Sequence, residues 1–564
     1  MQRVEFPRVT PESVGVPSEA VGWLLDRLEN GYTEPHGLML MRHGKVFAEG
    51  WWRPYAPGIR HGLQSHSKTY AATAVGVLYT EGGVRLDERI IDIFPDKAPE
   101  EPSENLKLLT VRDVLCMGCG MDEMPSPAAE DWIREFLNIP VNHRPGTVYM
   151  YNSVGSSLLC AIVRRRTGMS MHEYLIPRLY EPLGILYRNH RWYTMSDGTE
   201  AGGWGLFATT EDNLRLMKLY LDGGVAPDGR RILAEDFVRL ATTDRNPSAS
   251  EEAKNPGAWD NYAGYGFQIW MCRPEGVYRA DGAMGQFTVV VPDMDMILAI
   301  TETACFDENR IREMNGTRMK DSGMPMSGTA QHTLDVFWGF LSRIPGGERF
   351  AAIKPDPAFL ASPAGSTCID FGGEVPESTG RYAALLSRDG ALPENPEAAL
   401  RLASRMSALA LPRPVWTPAG PLAEKISGRV MTVENGTLGL MVNGFAQRAD
   451  VGKERLSLEF TGAGECIFTY EQAGPDGQEK RTVMNAALDG SERWNRVGDP
   501  AGTVSEVLLS GRWISENEFE ITMRFIETCG TRRVCFAFGE NETVIRTKSN
   551  MAFSPAAEVR AVMQ

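Results

Sequence analysis

Apolar and polar positions alternate in two different rhythms along the chain. Apolar runs from Gly37 to Met41 and from Lys45 to Trp52 flank the polar triplet Arg42-His43-Gly44, the pattern of two strands joined by a tight turn. Ser67 to Glu81 (SKTYAATAVGVLYTE) is apolar around most of its circumference and stops at Gly82-Gly83. That predicts a buried helix closed by a glycine cap. Further helices are predicted at Thr110 to Met117, Ser156 to Arg166 and Thr210 to Leu221, with strand-like runs at Tyr265 to Cys272, Phe287 to Val291 and Met296 to Thr301. Strands at both ends of the interval and helices between them predict an α/β domain over residues 1–345, an antiparallel sheet flanked by helices and interrupted by a helical insertion.

The rhythm then changes. Residues 346–425 read as a connecting segment with one helix, Pro396 to Ala410, and a crowd of prolines at 412, 414, 418 and 421. From 426 to 564 the period is two: Leu456, Leu458 and Phe460 alternate with Ser457 and Glu459, and Phe519, Ile521, Met523 and Phe525 alternate with Glu520, Thr522 and Arg524. Roughly eight such runs, broken at Asn435-Gly436, Gly462 to Gly464, Asp476-Gly477 and Gly539 to Glu542, predict an antiparallel meander closing into a small barrel.

Charge and composition narrow the partners. The 564 residues carry 58 Lys and Arg against 73 Asp and Glu, a net charge of -15 that would repel a phosphate backbone or an anionic membrane surface. Neither nucleic acid nor membrane is expected. The amino-terminal stretch has no basic and apolar leader pattern, and no uninterrupted apolar run approaches the ~20 residues that cross a bilayer, so a cytoplasmic protein is expected. Nine dispersed cysteines fit reduced, packed thiols better than a disulfide framework. Cys116 and Cys119 form a C-x-x-C with no second ligand pair nearby, and no metal is expected there.

Several chemistries lack their signatures: there is no G-x-S-x-G elbow, no P-loop and no G-x-G-x-x-G after a strand. His172-Glu173 opens like a zinc-binding H-E-x-x-H, but position 176 is Ile176, which leaves a helical surface pair. The positive signal is Ser65-His66-Ser67-Lys68, an S-x-x-K at the start of the buried helix. Three helical positions rotate by ~300°, so Ser65 and Lys68 project from one face. A serine hydroxyl needs a base, and a lysine whose proton affinity is lowered by burial can serve. The free N–H groups of the helix start, that of Ser65 among them, can supply half of an oxyanion hole. His66 diverges from Ser65 by ~100° and is a weaker candidate base.

With these residues in place, the sequence resembles the serine hydrolases of the class C β-lactamase and penicillin-binding-protein-like family. Blocks that carry the resemblance include LQSHSKTYAATAVGVLYTEGGVRLDERI, LTVRDVLCMGCGM, RPGTVYMYNSVGSSLLCAIVRRRTGMSMHEYLIPRLYEPLGI, AGGWGLFATTEDNLRLMKLYLDGG and ADGAMGQFTVVVPDMDMILAIT. The resemblance implies a β-lactamase/transpeptidase-like α/β fold with a helical subdomain. It also implies that the family's Y-x-N motif falls on Tyr151-Asn152-Ser153, making Tyr151 a proton-transfer group and Ser153 a substrate contact. The family's K-T-G or H-x-G falls on Ala280-Asp281-Gly282, on an edge strand, with Asp281 and Gly282 facing substrate and the Ala283 N–H as second oxyanion donor. The family's cation is absent from this third motif, which argues against a β-lactam as preferred substrate. Gly282 leaves room for a ligand backbone to approach. Gly282 to Gln286, G-x-x-G-Q, looks most like esterases and small-amide hydrolases of the family. Trp204, in the AGGWG block, reads either as a core tryptophan or as part of the cleft lining, and the carboxy-terminal region resembles the lipocalin-like β-domains appended to some members.

The expected activity is cleavage of an ester, amide or short peptide through an acyl-enzyme on Ser65, with Lys68 and Tyr151 moving protons and no cofactor. The alternatives are a β-lactamase, a D-amino-acid peptidase or amidase, and a ligand sensor that acylates without turnover. The sequence leaves the oligomeric state open.

Overall fold

A computed structural model of the chain describes residues 5–31, 33–246, 260, 263–304, 326–353, 377–413, 420–440, 453–462, 464–473, 479–498, 504–528, 530–540, 542–550 and 556–564. The Asp476-Gly477 turn and two of the connector prolines, Pro414 and Pro418, lie outside these residues. The chain divides into two compact units, Met1–Ala410 and Leu411–Gln564. Among the described residues no helix is long and apolar enough to cross a membrane.

The first unit is built on a six-stranded antiparallel sheet whose members come from both ends of the predicted α/β interval. In chain order they are β1 (Thr33–Arg42), β2 (Lys45–Trp51), β3 (Trp270–Met271), β4 (Tyr278–Gly282), β5 (Gln286–Val291) and β6 (Met296–Ala304), arranged β2-β1-β6-β5-β4-β3. Register is fixed by pairs such as Leu38 opposite Gly50 on β2 and Ile300 on β6. Helices α1 (Ser18–Glu29), α2 (Ser67–Thr80), α3 (Ser153–Thr167), α4 (Thr210–Leu221) and α5 (Met326–Leu341) cover the sheet or form the inserted helical part. Because helices cover the sheet, β1 and β5 are buried on nearly every residue, and their apolar side chains do not alternate with exposed polar ones.

Two helix predictions match the structure closely, for local reasons. In α2 every residue from Ser67 to Leu78 is buried, and the chain leaves the helix through Gly82 at φ 75°, with the Gly83 N–H bonded to the Leu78 carbonyl at 2.8 Å. In α4 the N-cap Thr209 and Asp212 form a reciprocal capping box. Elsewhere the structure corrects the pattern. The predicted strand Tyr265 to Cys272 shrinks to Trp270–Met271, because Gln268 adopts φ 56° and its carboxamide bonds the Val114 and Leu115 carbonyls and Ser156 Oγ. The helix of the expected connector, α6 (Pro396–Ala408), is part of the first unit, with Ala398 and Leu402 buried and Arg405 paired with Asp26 and Glu29 of α1.

Among its described residues the second unit is an antiparallel meander of ten strands, where the pattern suggested roughly eight. These are β7 (Val430–Asn435), β8 (Glu454–Thr461), β9 (Glu465–Ala473), β10 (Glu479–Ala487), β11 (Arg493–Gly498), β12 (Val504–Trp513), β13 (Glu518–Phe525), β14 (Gly530–Phe538), β15 (Thr543–Ser549) and β16 (Ala557–Met563). A parallel pairing of Ala487 on β10 with Ser510 on β12 closes nine of them into a barrel, with β11 paired to β12 beside the closure. There the Asn495 side chain substitutes for missing ladder bonds: its Oδ1 accepts the Asn485 N–H at 2.7 Å and its Nδ2 donates to the Asn485 carbonyl at 2.9 Å. Leu456, Leu458, Phe468, Tyr470, Met484, Phe519, Ile521, Met523 and Phe536 fill the interior as one packed core.

Candidate active site

Ser65 sits on a short 3-10 turn, Gln64–His66, that feeds directly into α2, and not on the α-helix proper. Gln64 enters the turn at φ 50°. Ser67 pins it by donating to the Gln64 carbonyl at 2.7 Å while accepting the Leu206 N–H at 3.0 Å. Lys68, in the first turn of α2, therefore reaches back so that its Nζ lies 3.0 Å from Ser65 Oγ. The same Nζ lies 3.1 Å from Ser153 Oγ and donates to the Gly203 carbonyl at 2.6 Å. Lys68 is 1% exposed, and burial lowers its amine from the ordinary lysine range to about 7, a drop that the nearby Asp281 charge partly opposes.

Tyr151 stands at the mouth of α3, beside the N-cap Asn152, whose side-chain oxygen accepts the Gly155 N–H at 2.8 Å. The tyrosine ring lies 4.5 Å from Lys68 Nζ, stacks on Trp270 at 5.8 Å and meets Tyr265 edge-on. Ser65, Lys68, Tyr151 and Ser153 are thus brought together from two helix starts. Trp204 is half-buried against the core, beside the Gly203 whose carbonyl holds Lys68.

Ala280, Asp281 and Gly282 end β4. Among the described residues, its neighbour β3 pairs with Tyr278 and Arg279. The Asp281 carboxylate accepts a bond from Arg279 Nε at 2.8 Å. The Arg279 guanidinium is itself buried, donating to the carbonyls of Asp260 and Met271. Gly282 has no room for a side chain, because a Cβ there would collide with the Leu63 carbonyl. The close approach at this glycine is made by the turn that carries Ser65. The end of β4 at Gly282 therefore packs closely against the turn that carries Ser65.

His66 points elsewhere. Its Nε2 lies 3.0 Å from Thr288 Oγ1 on β5, and burial holds the ring to about 4. His172 is not a simple surface residue, since its ring packs against Tyr180, Tyr187 and His190. Cys116 and Cys119 are free, buried thiols, and burial lifts Cys116 to about 12. Gly203 and Arg279 went unremarked in the sequence. Gly203 lies in the quoted AGGWG block, and its close contact with Ser153, where a Cβ would strike the backbone, is the signal its glycine carries.

The β-lactamase family profile matches residues 26–310, just over half of the chain. The chain belongs to the β-lactamase family. Within it, the chain is 26% identical over 340 residues to penicillin-binding protein 4 of Amycolatopsis lactamdurans, covering 50% of this chain and 87% of that protein. It is 28% identical over 294 residues to the 6-aminohexanoate-dimer hydrolase of Paenarthrobacter ureafaciens, covering 49% and 74%. Among solved structures, the octameric penicillin-binding protein homologue of Pyrococcus abyssi aligns over 97% of this chain and 99% of its own, at 14% identity and a TM-score of 0.42. The β-lactamase-family match lies within the first unit and spans its six-stranded sheet, and the relatives include hydrolases.

Proposed function

We propose that this chain is a serine hydrolase that cleaves a small ester or amide through an acyl-enzyme on Ser65. The observation that carries the reading is the buried Lys68 amine, 3.0 Å from Ser65 Oγ and lowered to about 7. Near neutral pH a large fraction of that amine is unprotonated, so it can take the serine proton as Oγ attacks the carbonyl carbon. The carbonyl oxygen gains charge and is held by the N–H groups of Ser65 and Ala283. Tyr151, over whose ring Lys68 lies, hands a proton to the leaving group as the tetrahedral adduct collapses. The Lys68 ammonium then returns its proton to the Tyr151 phenolate, which frees the amine. Water enters and gives a proton to that amine as it attacks the acyl carbon, and the ammonium hands this proton to Ser65 Oγ as the second adduct collapses and the acid leaves.

The substrate class follows from the third motif. An alanine replaces the cation, and Asp281 is occupied by Arg279, so a substrate carboxylate finds no lysine or histidine at this edge. With the 6-aminohexanoate-dimer hydrolase among its relatives, we assign the chain to linear esters and amides ahead of β-lactams. Ser153, Asp281, Gly282 and Trp204 are the proposed substrate contacts. We place this machinery in an amino-terminal domain over residues 1–345, with 426–564 as a separate β-domain.

A fluorophosphonate probe tests the reading. Wild type should be labelled and Ser65→Ala should not, and p-nitrophenyl esters or amino-acid amides should be turned over with higher kcat/KM than nitrocefin. Equal labelling of Ser65→Ala overturns the assignment of the nucleophile, and a nitrocefin kcat/KM above every ester overturns the substrate class.

A further inference from the structure

One buried acid in the first unit has no part in the mechanism above. Glu302, on β6, is fully buried, and it lies where β6 runs on past the start of β5. Glu302 pairs with Pro35 of β1 on one side, and on the β5 side its backbone carbonyl accepts the Gln286 side-chain amide at 2.6 Å. The next residue, Thr303, reaches Met284 Sδ at 3.8 Å. Both contacts fasten the β4–β5 turn, residues 283–285, to β6. The Glu302 carboxyl completes the seat: Gly285 sits directly on it at φ 91°, and a Cβ at Gly285 would overlap Glu302 Oε1. From below, the Thr333 hydroxyl of α5 donates to Oε1 at 2.7 Å, with Thr33 of β1 alongside.

This turn contains Ala283, two residues before Gly285. We propose that Glu302 is a positioning residue, whose carboxyl props the β4–β5 turn so that the Ala283 N–H is set to receive the oxyanion formed at Ser65. The inference rests on the Ser65 reading. The reasoning is geometric: a turn that passes through glycine at positive φ has little stiffness of its own, and its shape is set by what it rests on. An oxyanion donor must be held to a few tenths of an ångström to act. Burial raises Glu302 to about 8, so at neutral pH it is a carboxylic acid. A glutamine has the same length and a comparable polar end, and should prop the turn as well.

The test compares an oxoester with its thionoester analogue, since a sulfur anion gains much less from an N–H donor than an oxyanion does. In Glu302→Ala, kcat for the p-nitrophenyl oxoester should fall on the order of 100-fold, the loss expected for one displaced oxyanion donor, with KM within about twofold. The thionoester should lose about tenfold less, and Glu302→Gln should stay within about threefold of wild type on both. If Glu302→Ala does not fold, Thr333→Val takes its place, with a smaller loss that is again confined to the oxoester. Equal losses on oxoester and thionoester, an unaltered kcat in Glu302→Ala, or a Glu302→Gln as impaired as Glu302→Ala would each overturn the proposal while leaving Ser65 as nucleophile. Wild type that neither turns over ester nor takes the fluorophosphonate would overturn the Ser65 reading instead.

Discussion

Both units bury groups that ordinarily carry charge, and two of these, Lys68 in the first unit and Glu454 in the second, are treated in opposite ways. In the first unit Lys68 is enclosed by Ser65 Oγ, Ser153 Oγ and the Gly203 carbonyl, all neutral, and two of them can donate as readily as accept. Such a shell costs the ammonium its water without supplying a counter-charge in contact, so the proton is loosely held. In the barrel Glu454 is 1% exposed, and it accepts the N–H groups of Leu438 at 2.7 Å and Gly439 at 3.0 Å together with the Tyr470 hydroxyl. Arg532 donates to the Gly439 carbonyl beside it at 2.6 Å. Among the described residues, the three groups bonded to Glu454 are all donors, and they tie the segment after β7 to the barrel wall. Burial alone therefore does not mark a reactive group; the chemistry of the partners separates the proposed base from a clasp.

Substitution should break the comparison unevenly. Lys68→Ala removes the base and should lower kcat/KM for a small ester on the order of 10³-fold with the fold intact, as measured by steady-state kinetics and circular dichroism. Glu454→Ala strands two N–H groups and a phenol in the barrel and should cost about 3 kcal/mol in denaturant unfolding of the second unit. Its rate of fluorophosphonate labelling at Ser65 should stay at the wild-type value. The smallest effect is on stability in the first unit. The folded chain holds the Lys68 amine at about 7, below its unfolded value near 10.5, so protons favour the unfolded state. This penalty is full below pH 7 and fades as pH rises toward the unfolded value. Lys68→Met should accordingly raise Tm by a few degrees at pH 6.5 and by less at pH 9, as read by calorimetry.

What could be read in the sequence was what neighbouring residues decide among themselves. The apolar circumference of Ser67 to Leu78 and the Thr209–Asp212 box specify α2 and α4, and period two specifies the barrel wall. The Ser65–Lys68 spacing was legible for the same reason, because a helical turn brings positions three apart together. The hidden features rest on contacts between distant segments. The Gly203 carbonyl meets Lys68 across 135 positions, Gln268 breaks a strand by bonding residues more than a hundred positions away, and Glu302 supports Gly285 from the next strand but one in the sheet. No local pattern records such pairings. The barrel closure was likewise hidden, since the Ala487–Ser510 pairing joins distant residues and the Asn495 side chain does the work of a backbone rung.

The account turns on Lys68 acting as an amine near neutral pH, and the pH dependence of acylation measures that directly. The second-order rate constant for fluorophosphonate labelling of Ser65 should rise sigmoidally between pH 5.5 and 8 with a midpoint near 7, and in Lys68→Ala the residual rate should be flat over the same range. A wild-type rate still climbing toward pH 10, or one independent of pH in both proteins, would contradict it.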